Sequence, residues 1–415
     1  MEKFGKAQPV RRFEDRRFIT GAGQYIDDVA PEGALHAIFV RSQVAHGTFD
    51  PLDLSEVRDM PGVKLALAAE DLDALGLKSD LDTTLVKNRD GSKGAKPRRP
   101  ILAEGKVRFV GDPFAMIVAE TLAEAKDAAE SLFADIEDLT AKVDVGPGGE
   151  PLHAEAPDNV AFDWGKGDED RVQAIIESAA YVVRTHVVDN RVNPNSMEPR
   201  GCSAEWDGER LHFAYGGQGV WGTRDQLAKR LRLDKAAVRV TTPDVGGGFG
   251  TKGMDYPEYF VVAAAAIKLG VPVRWLSERT EAMLTDNAGR DLISDTTLAF
   301  DVDHKLIAYH VDTICNLGAY NSEYAQPIQT DLFLKVASGV YDLQDIALRC
   351  RGIYTNTTQV DAYRGAGRPE AMLALERSID NAARQLGRDP LDLRRQNFIK
   401  PHQFPYKTAL AETYD

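Results

Sequence analysis

Three times in this chain a β-like run ends in a glycine-rich turn that opens directly into a helical pattern, and this unit constrains the fold more than any other feature. LHFAY (211–215) leads through GGQG into TRDQLAKRLRL, and AVRVTTPDV (237–245) leads through GGGFGTKG into PEYFVVAAAAIKLG. RGIYTNTTQVDAY (351–363) leads through RGAGR into PEAMLALERSIDNAARQLG. Glycine loses more backbone entropy on ordering than any other residue, so such clusters mark left-handed turns or a close approach to the main chain. Pro257-Glu258 and Pro369-Glu370 open two of the helices, a sensible first-turn choice because proline lacks an N–H that would have no partner there. Helix N-termini present unpaired N–H groups and partial positive charge, and loops without Cβ atoms let a polar ligand reach them. Singly, each turn reads as an ordinary packing site. Together the three predict a common rim around something large and rich in acceptors.

The first part of the chain alternates strand-like runs (ALHAIFV, 34–40; VKLALA, 63–68; FAMIVAE, 114–120) with helical ones, which makes the unit α+β. Thr121 and Glu124 form a T-x-x-E capping box, predicting a helix from there to about Ile136. The stretch 78–100, with Lys87, Arg89, Lys93, Lys96, Arg98 and Arg99, is polar and rich in breakers, so it reads as a solvated loop rather than a grip for an acidic ligand. Proline and glycine cluster at VGPGGEP, 145–151, which divides the chain into an α/β unit 1–145 and a second unit 146–415.

Several function classes drop out. With 50 basic against 64 acidic side chains the net charge is -14, which disfavours nucleic acid and anionic membrane as partners. Cys202, Cys315 and Cys350 are far apart with no CxxC pair, which suits a reducing, cytoplasmic compartment and gives neither a zinc nor an iron–sulfur signature. The first residues show no apolar leader core, and no run of about 18 apolar residues occurs. There is no H-E-x-x-H, no G-x-S-x-G elbow and no Walker A lysine loop. One rival survives: Gly248, Gly250 and Gly253 satisfy G-x-G-x-x-G between a strand and a helix, and Glu278 follows the next strand-like run, as in an NAD-binding dinucleotide domain.

Ordered motifs along the whole chain resemble the molybdenum-binding large subunit of the xanthine dehydrogenase, aldehyde oxidase and aerobic carbon monoxide dehydrogenase family. RRFEDRRFITGAGQYIDDV (11–29), VRSQVAHG (40–47) and VRFVGDPFAMIVAET (107–121) are similar to its hammerhead-like α/β domain. NSMEPRGCSAEWDG (195–208), GGQG, GGGFGTK, CNLGAY (315–320) and AYRGAGRPE (362–370) are similar to its first molybdenum-cofactor-binding domain. The resemblance implies a molybdopterin or molybdopterin cytosine dinucleotide whose dithiolene alone binds molybdenum, so that no protein side chain ligates the metal. It implies that Gln218 hydrogen-bonds the metal's oxygen ligand. Gly217, Gly219, Gly247, Gly248, Phe249, Gly250, Arg364 and Gly365 would then border the cofactor, and Glu198 would be structural, bonded to backbone amides.

The departures carry information too. Gly253, Leu332 and Ala366 stand where purine-oxidising members carry a glutamate, an arginine and a phenylalanine, which argues against purines. Gly365 stands where carbon monoxide oxidisers carry a copper-bridging cysteine. The implied reaction is therefore hydroxylation of an aldehyde or an electron-poor N-heterocycle with water as oxygen source. Family large subunits run to nearly twice this length, so either the chain is a fragment or the large subunit is split. A partner chain, the second molybdopterin-binding subunit, would bring the base glutamate, and 2Fe–2S and FAD subunits would take the electrons. A non-catalytic scaffold or cofactor-insertion homologue is the alternative of a different class.

Overall fold

The helix Pro257–Leu269 has nine consecutive buried residues, Glu258–Ala266, and such a helix has to be enclosed on every side. The computed structural model describes residues 11–78, 80–410 and 412–415; the first ten, read above for a leader, lie outside them. The helix lies on a seven-stranded sheet ordered Val238–Thr241, Leu211–Tyr215, Gly201–Trp206, Val273–Leu276, Leu35–Arg41, Pro113–Ala119, Val63–Ala68. Its Tyr259, Phe260 and the run Ala263–Ala266 share one core with Cys202, Phe213, Tyr215, Val273 and Trp275. Small alanines let the helix sit close to the strands, and the aromatic residues fill the remaining space.

That sheet crosses the division expected at residue 145, because Leu35 pairs with Val273 in parallel register. Arg41, at the end of its strand, reaches across the same division to Glu258 on the enclosed helix.

A second sheet of five strands runs Val160–Gly167, Ile346–Tyr354, Leu306–Gly318, Leu292–Phe300, Tyr181–Asp189. Alternation along these strands serves two helices. Leu298, with Val183 and Tyr309, meets the helix Arg368–Gln385 through Leu375, Ile379 and Ala382. Ala299, with Ala308 and Ala347, meets the helix Glu169–Ser178 through Val172 and Ile176. Among the described residues no helix is long and apolar enough to cross a membrane.

Local expectations hold where short-range signals dominate. The capping box is formed: the Glu124 N–H donates to Thr121 Oγ1 at 3.2 Å, and Glu124 Oε2 accepts the Thr121 N–H at 2.9 Å. The helix stops at Ser131, however, five residues short of Ile136. Leu132 is extended, and Ile136–Asp138 instead pairs with Gly47–Phe49, where Ile136 packs on Phe49 and Leu132. Tertiary burial overrides helix propensity there.

The stretch 78–100 also differs from the expected solvated loop. Lys87, Arg89, Lys93, Lys96 and Arg98 are exposed, but Leu81, Val86 and Arg99 are buried. The backbone straps onto the second sheet: Arg89 and Ala95 donate to the carbonyls of Asp163 and Ala161, at 2.8 and 2.7 Å. The third strand-like run is shorter than the sequence pattern suggests. Its strand ends at Tyr354, and the polar residues beyond it bond to the neighbouring strand, as where Thr355 Oγ1 donates to Asn316 Oδ1 at 2.8 Å.

Candidate functional site

Leu211–Tyr215 and Val238–Thr241 are parallel neighbours, so the loops leaving their carboxyl ends emerge side by side, the position where α/β sheets bind ligands. Glu198 stands between them. Its Oε1 accepts the Ile26 N–H at 3.2 Å, and its Oε2 accepts the Gly246 N–H and the Lys252 ammonium, both at 2.8 Å. Two of the glycines are explained by that carboxylate: a Cβ on Gly216 would touch Glu198 Oε1 at 3.1 Å, and one on Gly246 would overlap the Glu198 Cβ. Lys252 is fully buried; burial pushes its ammonium down from the ordinary lysine value, and Glu198 opposes that. Glu198 is thus bonded to backbone amides as expected. The lysine partner was not legible in TK alone.

Gln218 joins the first loop to the second. Its peptide N–H donates to the Lys252 carbonyl at 3.0 Å, and its side-chain Oε1 accepts the Gly250 N–H at 2.9 Å. That bond uses the oxygen, and Nε2 has no hydrogen-bond partner among the described residues. A Cβ on Gly248 would strike Gln218 Oε1 and dislodge it. Gly253 lies against Gln218, with room for a Cβ at 3.6 Å from its carbonyl.

The third loop, although it hangs from the other sheet, meets the second. The Ala362 carbonyl sits 2.8 Å from where a Gly250 Cβ would lie, and Gly250 has φ +102°, so no other residue fits easily there. Arg290 clamps this loop by donating to the carbonyls of Tyr363 and Arg364, at 3.2 and 2.8 Å, while its Nη1 pairs with Glu370 at 2.9 Å. Leu332 abuts the loop at Gly367, at the end of the π-helical turn Ile328–Leu332. Phe249 at φ +54° and Ala366 at +39° hold left-handed backbone without being glycine, a strain that persists only where surroundings over-determine it.

All three loops therefore converge. Gln218, Gly219, Phe249, Arg364 and Gly365 are exposed on the shared rim, Gly217 is buried beneath it, and Gly247, Gly248 and Ala366 are half-buried. Among the described residues, the N–H groups of Gly219, Gly247, Gly248, Phe249, Arg364 and Gly365 donate to no protein acceptor. No trio of His, Cys, Asp or Glu able to hold a metal occurs among those residues. A donor set of peptide N–H groups without side-chain metal ligands fits a phosphate- and sulfur-bearing guest that carries its own metal. Apolar side chains within or next in sequence to these loops and to Glu198 are exposed: Met197, Trp221 and Phe249 at 89%, 71% and 41%.

Two features were missed by sequence reasoning. Both helix-opening glutamates are ion-pair hubs: Glu370 meets Arg290, and Glu258 meets Arg200 and Arg41. The PE dipeptides were visible; their arginines are 58 to 217 residues away, beyond the reach of any local pattern.

The dinucleotide reading is corrected. Gly253 precedes the helix by four residues instead of opening it, and an antiparallel strand, Gly201–Trp206, interrupts the parallel set. Glu278 faces away to pair with Lys126 and caps the short helix Arg279–Thr285.

Comparison with known proteins agrees with this geometry. Residues 152–398 match the molybdopterin cofactor-binding domain, and residues 20–140 match the a/b hammerhead domain of aldehyde oxidase and xanthine dehydrogenase. The carbon monoxide dehydrogenase large chain of Hydrogenophaga pseudoflava is 32% identical over 97% of this chain and 51% of its own. The nicotine 6-hydroxylase large subunit of Paenarthrobacter nicotinovorans is 30% identical over 98% of this chain and 50% of its own. The structure of quinoline 2-oxidoreductase from Pseudomonas putida 86 superimposes with a TM-score of 0.88 at 32% identity, covering 97% of this chain and 51% of that one. The chain spans about half the length of the curated relatives it matches.

Proposed function

Because the chain belongs to the molybdopterin cofactor-binding family, with the aldehyde oxidase and xanthine dehydrogenase hammerhead domain before it, we propose that it is the cofactor-holding part of a molybdenum hydroxylase. The observation that carries this reading is the meeting of three glycine loops, with unpaired N–H groups, at one rim. The substrate is an aldehyde or an N-heterocycle, and water supplies the oxygen. Molybdopterin, or its cytosine dinucleotide, supplies the metal and its two-electron chemistry when bound.

The chain's own residues bind and orient. Gly217, Gly219, Gly247, Gly248, Phe249, Gly250, Arg364 and Gly365 hold the cofactor, chiefly through main-chain donors. Gln218, oriented by the Gly250 N–H, would offer its Nε2 donor to an oxygen acceptor of the metal centre. Gly253, Leu332 and Ala366 form part of the substrate wall, which offers no charged side chain to a purine but tolerates a flat ring or an aldehyde. The names of the nicotine and quinoline relatives support an N-heterocycle.

Residues 1–145 serve as the hammerhead-like unit and 146–415 as the first cofactor-binding unit. A second molybdopterin-binding subunit covers the exposed Met197, Trp221 and Phe249 and brings the base glutamate. Iron–sulfur and FAD subunits accept the electrons. Three free, buried cysteines support a cytoplasmic location.

Gln218→Ala should lower kcat roughly 100-fold, as losing one preorganised donor at a developing charge does, with an unchanged thermal midpoint. Gly248→Ala should act by the same route, through the clash with Oε1. The double variant should be no slower than either single one. Wild-type rates, or losses that add, would remove Gln218 from its role.

A further inference from the structure

Gln218 is tied to the second loop by the Lys252 carbonyl and the Gly250 N–H; its own loop is held by Tyr215. This is the last residue of the strand Leu211–Tyr215 and is 1% exposed. Its ring is fixed in the aromatic core, edge-on to Tyr259 at 5.5 Å between centroids and tilted against Phe213 at 6.0 Å. The same ring lies against the loop, where a Cβ on Gly217 would come within 1.7 Å of Tyr215 Cε2. The Gly217 backbone is not left-handed, so it is the ring that requires glycine there.

The Tyr215 hydroxyl reaches the other end of the loop through Thr223. Thr223 Oγ1, on the helix Val220–Leu231, lies 2.9 Å from the Tyr215 hydroxyl and 3.3 Å from the Gly219 carbonyl. A hydroxyl has one proton, and a carbonyl can only accept. The Thr223 proton therefore goes to Gly219, and the Tyr215 O–H donates to Thr223. Burial pushes the Tyr215 phenol above its ordinary value, which keeps that proton in place at neutral pH. Thr242 holds Gly217 as well, with Oγ1 3.3 Å from its carbonyl and 3.5 Å from its nitrogen. The aromatic packing needs only the Tyr215 ring. Its hydroxyl has no partner besides Thr223 among the described residues, so that bond serves the loop alone.

We propose that Tyr215 is a positioning residue for Gln218, fixing Gly217 through its ring and Gly219 through Thr223, so that the peptides on both sides of Gln218 are held while its amide stays exposed to the site. This rests on the role proposed for Gln218: a donor that meets a developing charge has to be held to within about 0.5 Å, and Gln218 alone cannot supply that.

The test compares the assembled complex as wild type, Tyr215→Phe, Thr223→Val and Thr223→Ser. Phenylalanine keeps the ring and valine the shape, but each breaks the link; serine keeps the hydroxyl. Hydrogen exchange read by mass spectrometry should quicken in peptides covering residues 216–223 in Tyr215→Phe and Thr223→Val, and should match wild type in Thr223→Ser. In the two broken variants kcat should fall about fivefold, the size of one neutral hydrogen bond, with KM and pterin content unchanged. Because Tyr215 acts through Gln218, adding Tyr215→Phe to Gln218→Ala should slow turnover no further. Wild-type exchange across 216–223 in Tyr215→Phe overturns the proposal, as does a fivefold loss that persists on top of Gln218→Ala. A fall in pterin content in Tyr215→Phe also overturns it, because the lost rate would then come from lost cofactor. If the wild-type complex does not hydroxylate at all, the role of Gln218 falls and the positioning role with it, while the exchange rates still decide whether Tyr215 holds the loop.

Discussion

Glu258→Gln should destabilise the fold by about 3–5 kcal/mol, the cost of breaking a buried ion pair from one side. Glu258 is enclosed at the start of the helix Pro257–Leu269, where Oε2 meets Arg200 at 3.0 Å and Oε1 meets Arg41 at 2.7 Å. Arg200 has no exposed side-chain surface; it also pairs with Asp286 at 2.6 Å and lies 3.7 Å from the Tyr256 ring centroid. Glutamine keeps the shape and removes the charge, leaving two buried guanidinium groups with Asp286 and Glu281 as their remaining counter-ions. Arg41 belongs to the first part of the chain and Arg200 to the second, so the loss falls on the seam between them. Burial alone would raise the Glu258 carboxyl, but Arg200 and Arg41 pull it down to about 2 from an ordinary 4.5. A depressed folded value means that its contribution is full above the unfolded value near 4.5 and disappears as pH falls toward 2. Urea unfolding at neutral pH measures the difference; a loss below about 1 kcal/mol, the range of an exposed pair, would refute the role assigned to it.

Glu198→Gln should separate cofactor binding from the strands that support it. The amide keeps one acceptor oxygen, so it can accept from Ile26 or from Gly246 but not from both, and it cannot neutralise Lys252, whose side chain is 1% exposed. An uncompensated buried ammonium costs about 3 kcal/mol. The segment that moves to relieve it carries the Lys252 carbonyl that holds Gln218 and the Gly246 turn that opens the second loop. Pterin released from the purified complex, read by fluorescence after oxidation, should fall to near zero. Adding Lys252→Met removes both charges, and replacing both partners of a buried bond is far cheaper than orphaning one. The double variant should therefore recover most of the stability but little of the pterin, because one of the two N–H groups of Ile26 and Gly246 still lacks its acceptor. Full pterin content in Glu198→Gln would mean that the carboxylate does not set the loops.

What could be read from the chain beforehand follows physical range. Strand and helix limits around LHFAY and PEYFVVAAAAIKLG come from alternation, a first-turn proline and a terminal Gly270, all within a few residues of one another. The helix after Thr121 starts where the capping box requires but ends early, because Ile136 is claimed by a strand some 90 residues back, at Gly47–Phe49. The site shows the same divide. Glycine spacing announced the loops, and the ordered motifs announced their guest. The groups that hold the loops together (Glu198 with Lys252, Arg290 with Glu370) are pairings over 54 and 80 residues that no window can contain. Arg99 is the sharpest case: one of seven basic side chains in the polar stretch 78–100, and the one that folding buries.

Molybdenum and pterin content of the complex purified with its partner subunits, from a host able to make the cofactor, tests the convergence of the loops most directly. The geometry calls for one molybdenum and one pterin for each copy of this chain, both lost in Glu198→Gln and retained in Gln218→Ala. A stable, fully assembled complex that contains neither would contradict it.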